Sequence, residues 1–260
     1  MKIAVLLPVF VLMCLFPLIA APDAESVQLT FTLYAVGLPV AESHMSFDLT
    51  PSAYLMGLQY QTTGVARLFA GDKLDQTTKG MFEHDQPVPM EFHSFVRLHG
   101  QDRTVVLEYR NGDPTATTTT PPNEGERDIV PQAEREHTLD PLSAMVDMLH
   151  TLARTGRCDL SHKTYDGRRL EVFEVHTVDE EDIASSGRSV FAGRALRCDY
   201  TSRPLMGFHL GEQRADDQRV RKGSLWLAPV VPGGPRLPVQ GVVDVRFLGT
   251  ATMYLTAITP

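Results

Sequence analysis

The sequence predicts a mostly β protein: a strongly curved antiparallel sheet, open or half a barrel, wrapping one central amphipathic helix. Three observations predict it. Apolar residues alternate with a period of two along most of the chain, which marks strands with one buried face. The turns between these runs are too short for parallel crossovers. One segment, residues 141–154, carries apolar residues at helical spacing. With only sheet around it, its apolar face is buried on the concave side of that sheet.

The first 21 residues read as a leader. Lys2 precedes an apolar run, IAVLLPVFVLMCLFPLI, followed by Ala20-Ala21 and the polar turn Pro22-Asp23, the layout of a secretory signal peptide. The rival is a retained membrane anchor, since the run approaches the length of a span. Pro8, Pro17 and the small residues at its end favour cleavage after Ala21. Met13 before Cys14 is not the small residue that a lipoprotein signal needs. Export to the periplasm follows, with residues 22–260 as a single β-rich domain. The chain has 24 basic and 32 acidic side chains, a formal charge of −8. That balance, with no basic stripe, argues against nucleic acid as a partner. Past the leader two cysteines remain, Cys158 and Cys198. An even count in an exported chain reads as one disulfide, with a pair of buried free thiols as the alternative.

In VQLTFTLYA, residues Val27, Leu29, Phe31, Leu33 and Ala35 share a face. Gly37-Leu38-Pro39 breaks the run, and AESHMSFDL resumes it with Met45, Phe47 and Leu49 aligned. AYLMGLQYQTTG follows, with Tyr54, Met56, Leu58 and Tyr60 in phase. VARLFA is a short helical turn, and residues 74–82 form a weaker strand. PVPMEFHSFVRLHG carries prolines at 87 and 89, which suit an edge or a strand start. RTVVLEYRNGDP is a strand that turns at Asn111-Gly112. Residues 115–138 are rich in Thr, Pro and charge; they read as a threonine strand at 115–120 and then an exposed loop covering an opening. In the helix, Asp140 is a suitable N-cap and Pro141 fits the first position. Leu142, Met145, Val146, Leu149 and Leu152 form the stripe, and Gly156 ends it. Residues 161–178 form a hairpin turning at Asp166-Gly167, and residues 179–188 a solvated acidic loop. VFAGRALRCDYTSR, KGSLWLAP, PVQGVVDVRFLG and TATMYLTAI complete the sheet. A Cys158–Cys198 bridge would staple the helix exit to it.

This pattern resembles the bacterial envelope family called domain of unknown function 3108. The resemblance rests on Pro87-Val88-Pro89 with Phe92, on Asp140-Pro141-Leu142-Ser143, and on Cys158 followed by Asp166-Gly167-Arg168-Arg169. It also rests on Cys198 and on Leu225-Trp226-Leu227. It covers nearly all of the chain past the leader and implies no assigned activity. The architecture is also similar, at the level of fold only, to the Lol-type carriers of periplasmic lipoproteins.

No motif fixes a reaction. The nine histidines form no H-x-H or H-E-x-x-H pattern and there is no C-x-x-C, so neither a metal site nor a cofactor is expected. There is no G-x-S-x-G, and Ser143 reads as helix-start chemistry rather than as a nucleophile. The Asp166-Gly167-Arg168-Arg169 tract invites an anion-site reading, but Arg168 and Arg169 point to opposite faces of a strand and read as solvated residues of a hairpin turn. The expectation is therefore a protein that is not an enzyme. Methionines and aromatics line the alternating faces: Met45, Met56 and Met90 run with Phe47, Tyr54, Leu58 and Phe92, opposite Leu142, Met145 and Leu149. Methionine adapts to irregular apolar partners. The first nine of these without Met90 are Met45, Phe47, Tyr54, Met56, Leu58, Phe92, Leu142, Met145 and Leu149. They line either an ordinary dry core or a cavity for a lipid or a lipoprotein acyl chain, and the sequence leaves both open. The alternative function is a structural or partner-binding envelope protein that uses its loop and its strand edges.

Overall fold

The computed structural model describes residues 26–259 apart from 69–70, 99, 212–213 and 246–248, so the expected leader at residues 1–21 lies outside the described residues. Thirteen strands form one antiparallel sheet. They are β1 (Val27–Ala35), β2 (Leu38–Leu49), β3 (Ala53–Thr62), β4 (Lys73–Glu83), β5 (Gln86–Leu98), β6 (Gln101–Arg110) and β7 (Asp113–Thr120), then β8 (Leu160–Tyr165), β9 (Leu170–Ile183), β10 (Gly193–Met206), β11 (Arg221–Pro229), β12 (Arg236–Val245) and β13 (Gly249–Thr259). The spatial order is β7-β6-β5-β4-β3-β2-β1-β13-β12-β11-β10-β9-β8. Two meanders are thus joined by the pairing of β1 with β13, which leaves β7 and β8 as edges. Helices α1 (Gln132–Arg135) and α2 (Pro141–Thr155) lie between these edges in the chain, and α3 (Arg214–Asp217) follows β10. Among the described residues no helix is long and apolar enough to cross a membrane.

Curvature is evident from what α2 touches. It meets β3, β4 and β5 on one side and β8 and β12 on the other, strands that a flat sheet would hold far apart. Register shifts in the β1–β2, β1–β13 and β4–β5 ladders bend the strands. The helix starts and stops as its sequence dictates. The Asp140 carboxylate accepts the N–H groups of Leu142 and Ser143 at 3.1 and 2.9 Å. Gly156 ends it at φ 73°, its N–H donating to the Leu152 carbonyl, in the left-handed conformation that glycine adopts without strain. Burial extends beyond the expected stripe: Ala144, Asp147 and Met148 are covered as well as Leu142, Val146, Leu149 and Leu152, while Met145 is only half-buried. A helix inside a half barrel is walled on several sides rather than one.

The disulfide joins Cys158, just past α2, to Cys198 on β10, with Cα atoms 6.4 Å apart. Of the two places that suit Pro87 and Pro89, an edge or a strand start, the structure takes the second, since β5 lies between β4 and β6 and opens at Gln86. The pairing of β5 with β6 begins only at Glu91, so the prolines occupy a stretch with a single neighbour. Several expectations need correction. The acidic tract is strand in its first half: β9 runs on to Ile183, paired with Gly193, because Glu180 and Glu181 find Arg236 and the Trp226 indole N–H across the sheet, while residues 184–188 lie outside strands as expected. Met90 does not share the inner face. A bulge beside Lys79 and Gly80 shifts the phase, so that Pro89 and Phe92 point in and Met90 is exposed.

Another correction concerns residues 115–138. They begin with β7, as expected, but the remainder is docked rather than a free loop. Glu124 and Gly125 are exposed, while Arg127 and Val130 are buried. The segment fills the seam between the two edges. On the β7 side the Gln132 amide donates to the Pro114 carbonyl and the His137 N–H to Asp113. On the β8 side Leu139 bonds Lys163 and Tyr165 as a short parallel bridge. The turn between β8 and β9 completes the seam. Arg168 is not solvated: it is 7% exposed. It donates to Asn123 Oδ1 and to the carbonyls of Thr120 and Pro121, each at 3.0 Å, and to that of Thr104 at 3.4 Å. Gly167, at φ +88°, would bring a Cβ to 2.2 Å from Val105 Cγ1. Only glycine permits this approach of the turn to β6.

Candidate functional site

Of the nine side chains read as candidate lining, seven lie in the main core cluster: Met45, Phe47, Tyr54, Met56, Phe92, Leu142 and Leu149. They fill the space between sheet and α2, with Phe92 at 0% and Met56 at 1% exposure. Of the two readings left open, a dry core or a cavity, these seven fit the dry core, because α2 is buried around most of its girth. The other two, Leu58 and Met145, are half-buried and pack on the rim of that core.

Met145 looks into a cleft of about 250 Å³ beside the first turns of α2. The helix contributes Pro141 and Met145, β4 contributes Gln76, and β8 contributes Thr164. Asp166 and Arg169 enter from the turn, Glu171 and Phe173 from β9, Ser202 from β10 and Arg221 from β11. Leu58 adjoins Gln76 by direct pairing of β3 with β4, which places both on one face. The lining therefore combines an apolar patch, Met145 and Phe173, with a rim of charged side chains. Glu171 is the hub of the rim. It accepts from Arg221 Nη2 at 2.8 Å and from the Ser202 hydroxyl, and it stands 3.7 Å from Arg169 Nε. Asp166 accepts the N–H groups of Arg168 and Arg169 and pairs with the Arg169 guanidinium at 3.3 Å. Burial works against the charge of Arg169, but Asp166, Glu171 and Asp217 together hold its pKa above the usual arginine value. Asp166 and Arg169 belong to the tract weighed as an anion site and read as a solvated turn; Gln76, Glu171, Ser202 and Arg221 were not singled out from the sequence. Alternation of Glu171 with Phe173 was the available signal, and it says nothing about what lies opposite.

A second polar group sits in the core itself. Asp140, 0% exposed, accepts from the Ser143 hydroxyl at 2.6 Å and the Thr78 hydroxyl at 3.0 Å, and the Tyr54 hydroxyl lies 2.9 Å from Ser143 Oγ. Ser143 thus does helix-start chemistry, as expected. Burial pushes the Asp140 carboxyl up to about 6, against the pull of these hydrogen bonds, and burial likewise raises the Tyr54 phenol. A carboxyl whose folded pKa exceeds its unfolded value favours the folded state most when protonated. Stability from this group is therefore greatest below about pH 4 and falls as pH rises through about 6, by on the order of 3 kcal/mol. Asp140→Asn keeps an oxygen for the two capping N–H groups and removes the charge. Its stability advantage over the wild type is expected to grow between pH 4 and 7 in urea titrations; parallel curves would refute this assignment.

Some histidines do structural work instead of standing at the surface. His162 reaches Asp147 of α2 at 2.5 Å, and His150 stacks on Phe82 at 4.1 Å. His209 accepts from Arg127 Nη2 at 2.8 Å and contacts Asp217 at 2.7 Å through Nδ1. Burial and Arg127 depress the His209 pKa. The neutral ring, with its proton on Nδ1, fits both contacts, and the trio ties the linker to the segment after β10. Among the described residues no three His, Cys, Asp or Glu side chains stand close enough to share a metal ion.

Among the described residues the fold and cleft define an open, strongly curved antiparallel sheet around one helix, with an amphipathic groove beside that helix. The chain belongs to the family described as protein of unknown function DUF3108, whose model matches residues 29–256. No curated protein matches the chain. A similar solved structure is the crystal structure of a β-barrel-like protein of domain of unknown function DUF1849 from Brucella abortus. It shares 10% identity over 90% of this chain and 96% of that one, with a TM-score of 0.43.

Proposed function

We propose that the protein is a non-catalytic periplasmic binding protein that takes an apolar ligand, a lipid or a lipoprotein acyl chain, into the cleft beside α2. One observation carries the reading: Met145 and Phe173 remain half-buried on the inner side of the sheet, beside a rim of fixed charges. Apolar side chains left partly open inside a concavity, with a few convergent polar groups, are what small-molecule sites provide. The cleft, at about 250 Å³, is smaller than the ~300–1,000 Å³ of typical ligand pockets, so the ligand is held by part of its length. Export is supported by the signal-like first 21 residues and by the disulfide, which suits an oxidising compartment. The partner-binding alternative has less support, because both strand edges lie against the chain's own linker.

Protein purified from a periplasm is expected to release lipid on solvent extraction and to show lipid-bound masses by native mass spectrometry. An apolar dye bound to it should be displaced by long-chain amphiphiles. Protein that is always empty, and from which no amphiphile displaces dye, would refute the reading.

A further inference from the structure

The rim of the cleft carries a second kind of information. Its four charged groups are two guanidinium groups, Arg169 and Arg221, and two carboxylates, Asp166 and Glu171. They are already matched to one another. Glu171 is 14% exposed and holds Arg221, Ser202 and, at longer range, Arg169. Asp166 holds Arg169 and the turn that carries it. An arriving carboxylate or bare phosphate would find no unmatched cation. To reach Arg221 it must sit beside Glu171 or take its place, and a displaced carboxylate would be left without its partners. A net cation meets the converse obstacle at Arg169 and Arg221. A head group with both signs, or with neutral hydroxyl and amide groups, avoids both costs. Its anionic or acceptor part can address the outer N–H groups of Arg221, whose side chain is 43% exposed. Its cationic or donor part can address Asp166, while Gln76 and Ser202 supply neutral hydrogen-bonding groups at the same rim.

We propose that the cleft selects amphiphiles whose polar end carries no net charge, and that Glu171 is the residue that excludes anionic ones. This rests on the binding function proposed above. In that arrangement the apolar patch made by Met145 and Phe173 receives apolar chain without regard to its length or saturation. Selection among lipids is then exercised at the head group, by charge balance. Glu171 is a specificity residue that acts by occupying the Arg221 guanidinium, as Asp166 occupies that of Arg169.

The experiment is a dye-displacement titration of the full protein with two single-chain lipids of equal chain length, a zwitterionic lysophosphatidylcholine and an anionic lysophosphatidic acid. The zwitterionic lipid is expected to bind at least tenfold more tightly to the wild type. In Glu171→Gln, which keeps the shape and frees Arg221 while Arg169 stays with Asp166, the anionic lipid should gain at least tenfold. Equal or tighter anionic binding to the wild type overturns the inference while leaving the binding function intact, and that comparison requires no variant. A folded Glu171→Gln with unchanged preference also counts against it. If neither lipid displaces dye, the binding function itself fails, and this inference with it.

Discussion

Arg168→Met is expected to destabilise the protein by about 3–5 kcal/mol, because one buried side chain that satisfies four acceptors is removed. The partners here are not carboxylates that could be neutralised by taking up a proton. Three are main-chain carbonyls, of Thr104, Thr120 and Pro121, and the fourth is the Asn123 side-chain oxygen. Methionine fills much of the volume and donates nothing, so these acceptors lose their donor in a site where Arg168 is 7% exposed. Each orphaned acceptor costs about 1–3 kcal/mol, partly relieved by relaxation and water. Arg168 is charged under burial that, with nearby Arg103, pulls its pKa down; the guanidinium remains protonated, so the effect should not depend on pH between 5 and 9. The damage should also be local. Hydrogen exchange is expected to quicken in β7, in residues 121–130 and in the β8–β9 turn, while the β1–β13 pairing at the opposite side of the shell stays protected. A stability change below about 0.5 kcal/mol, the size typical of surface sites, would mean that the seam does not depend on this residue.

Removal of the disulfide is expected to cost a similar amount by a different route. The bridge closes a loop of 40 residues, and chain entropy in the unfolded state then accounts for about 4 kcal/mol. That loop contains β8, β9 and the turn of the seam, so an unbridged chain must order all of these without the constraint. Both sulfurs are fully buried, and Cys158 is further fixed by its N–H donating to the Thr177 hydroxyl at 2.8 Å. For a chain of this size each kcal/mol moves the melting temperature by about 2–4 °C. The double variant Cys158→Ala/Cys198→Ala should therefore melt about 10 °C below the wild type, and a reductant should lower the melting temperature of the wild type but not of the variant. Equal melting of wild type and variant would show that the bridge adds nothing.

Much of this architecture was legible in the sequence, and what was hidden has physical reasons. The helix was legible because its caps are local: Asp140, Pro141 and Gly156 act on backbone within a turn of themselves. The strands were legible because one buried face imposes a period of two. The burial of Asp147 and Met148 was hidden, since a stripe reports one packing face and a half barrel supplies several. The phase error at Met90 came from a bulge, which adds a residue without any signal beyond the neighbouring prolines. The role of Arg168 was hidden because a turn sequence does not say what the turn touches; Thr104, Thr120 and Asn123 come to it from far along the chain. The acidic stretch of β9 looked solvated because its partners, Arg236 and Trp226, lie on other strands. The cleft was the least visible feature. Gln76, Phe173, Ser202 and Arg221 come from four strands, and only the closing of the sheet around α2 brings them to one rim.

Photolabelling tests the central claim most directly, namely that the space beside α2 is where an apolar ligand is held. Purified protein would be incubated with a zwitterionic lysolipid bearing a diazirine near the end of its acyl chain, irradiated, digested and mapped. Labelling is expected on peptides containing Met145 and Phe173, and unlabelled lysolipid should suppress it. Labelling confined to the outer face of the sheet, for example at the exposed Leu55 or Met90, or labelling that competitor leaves unchanged, would contradict the account.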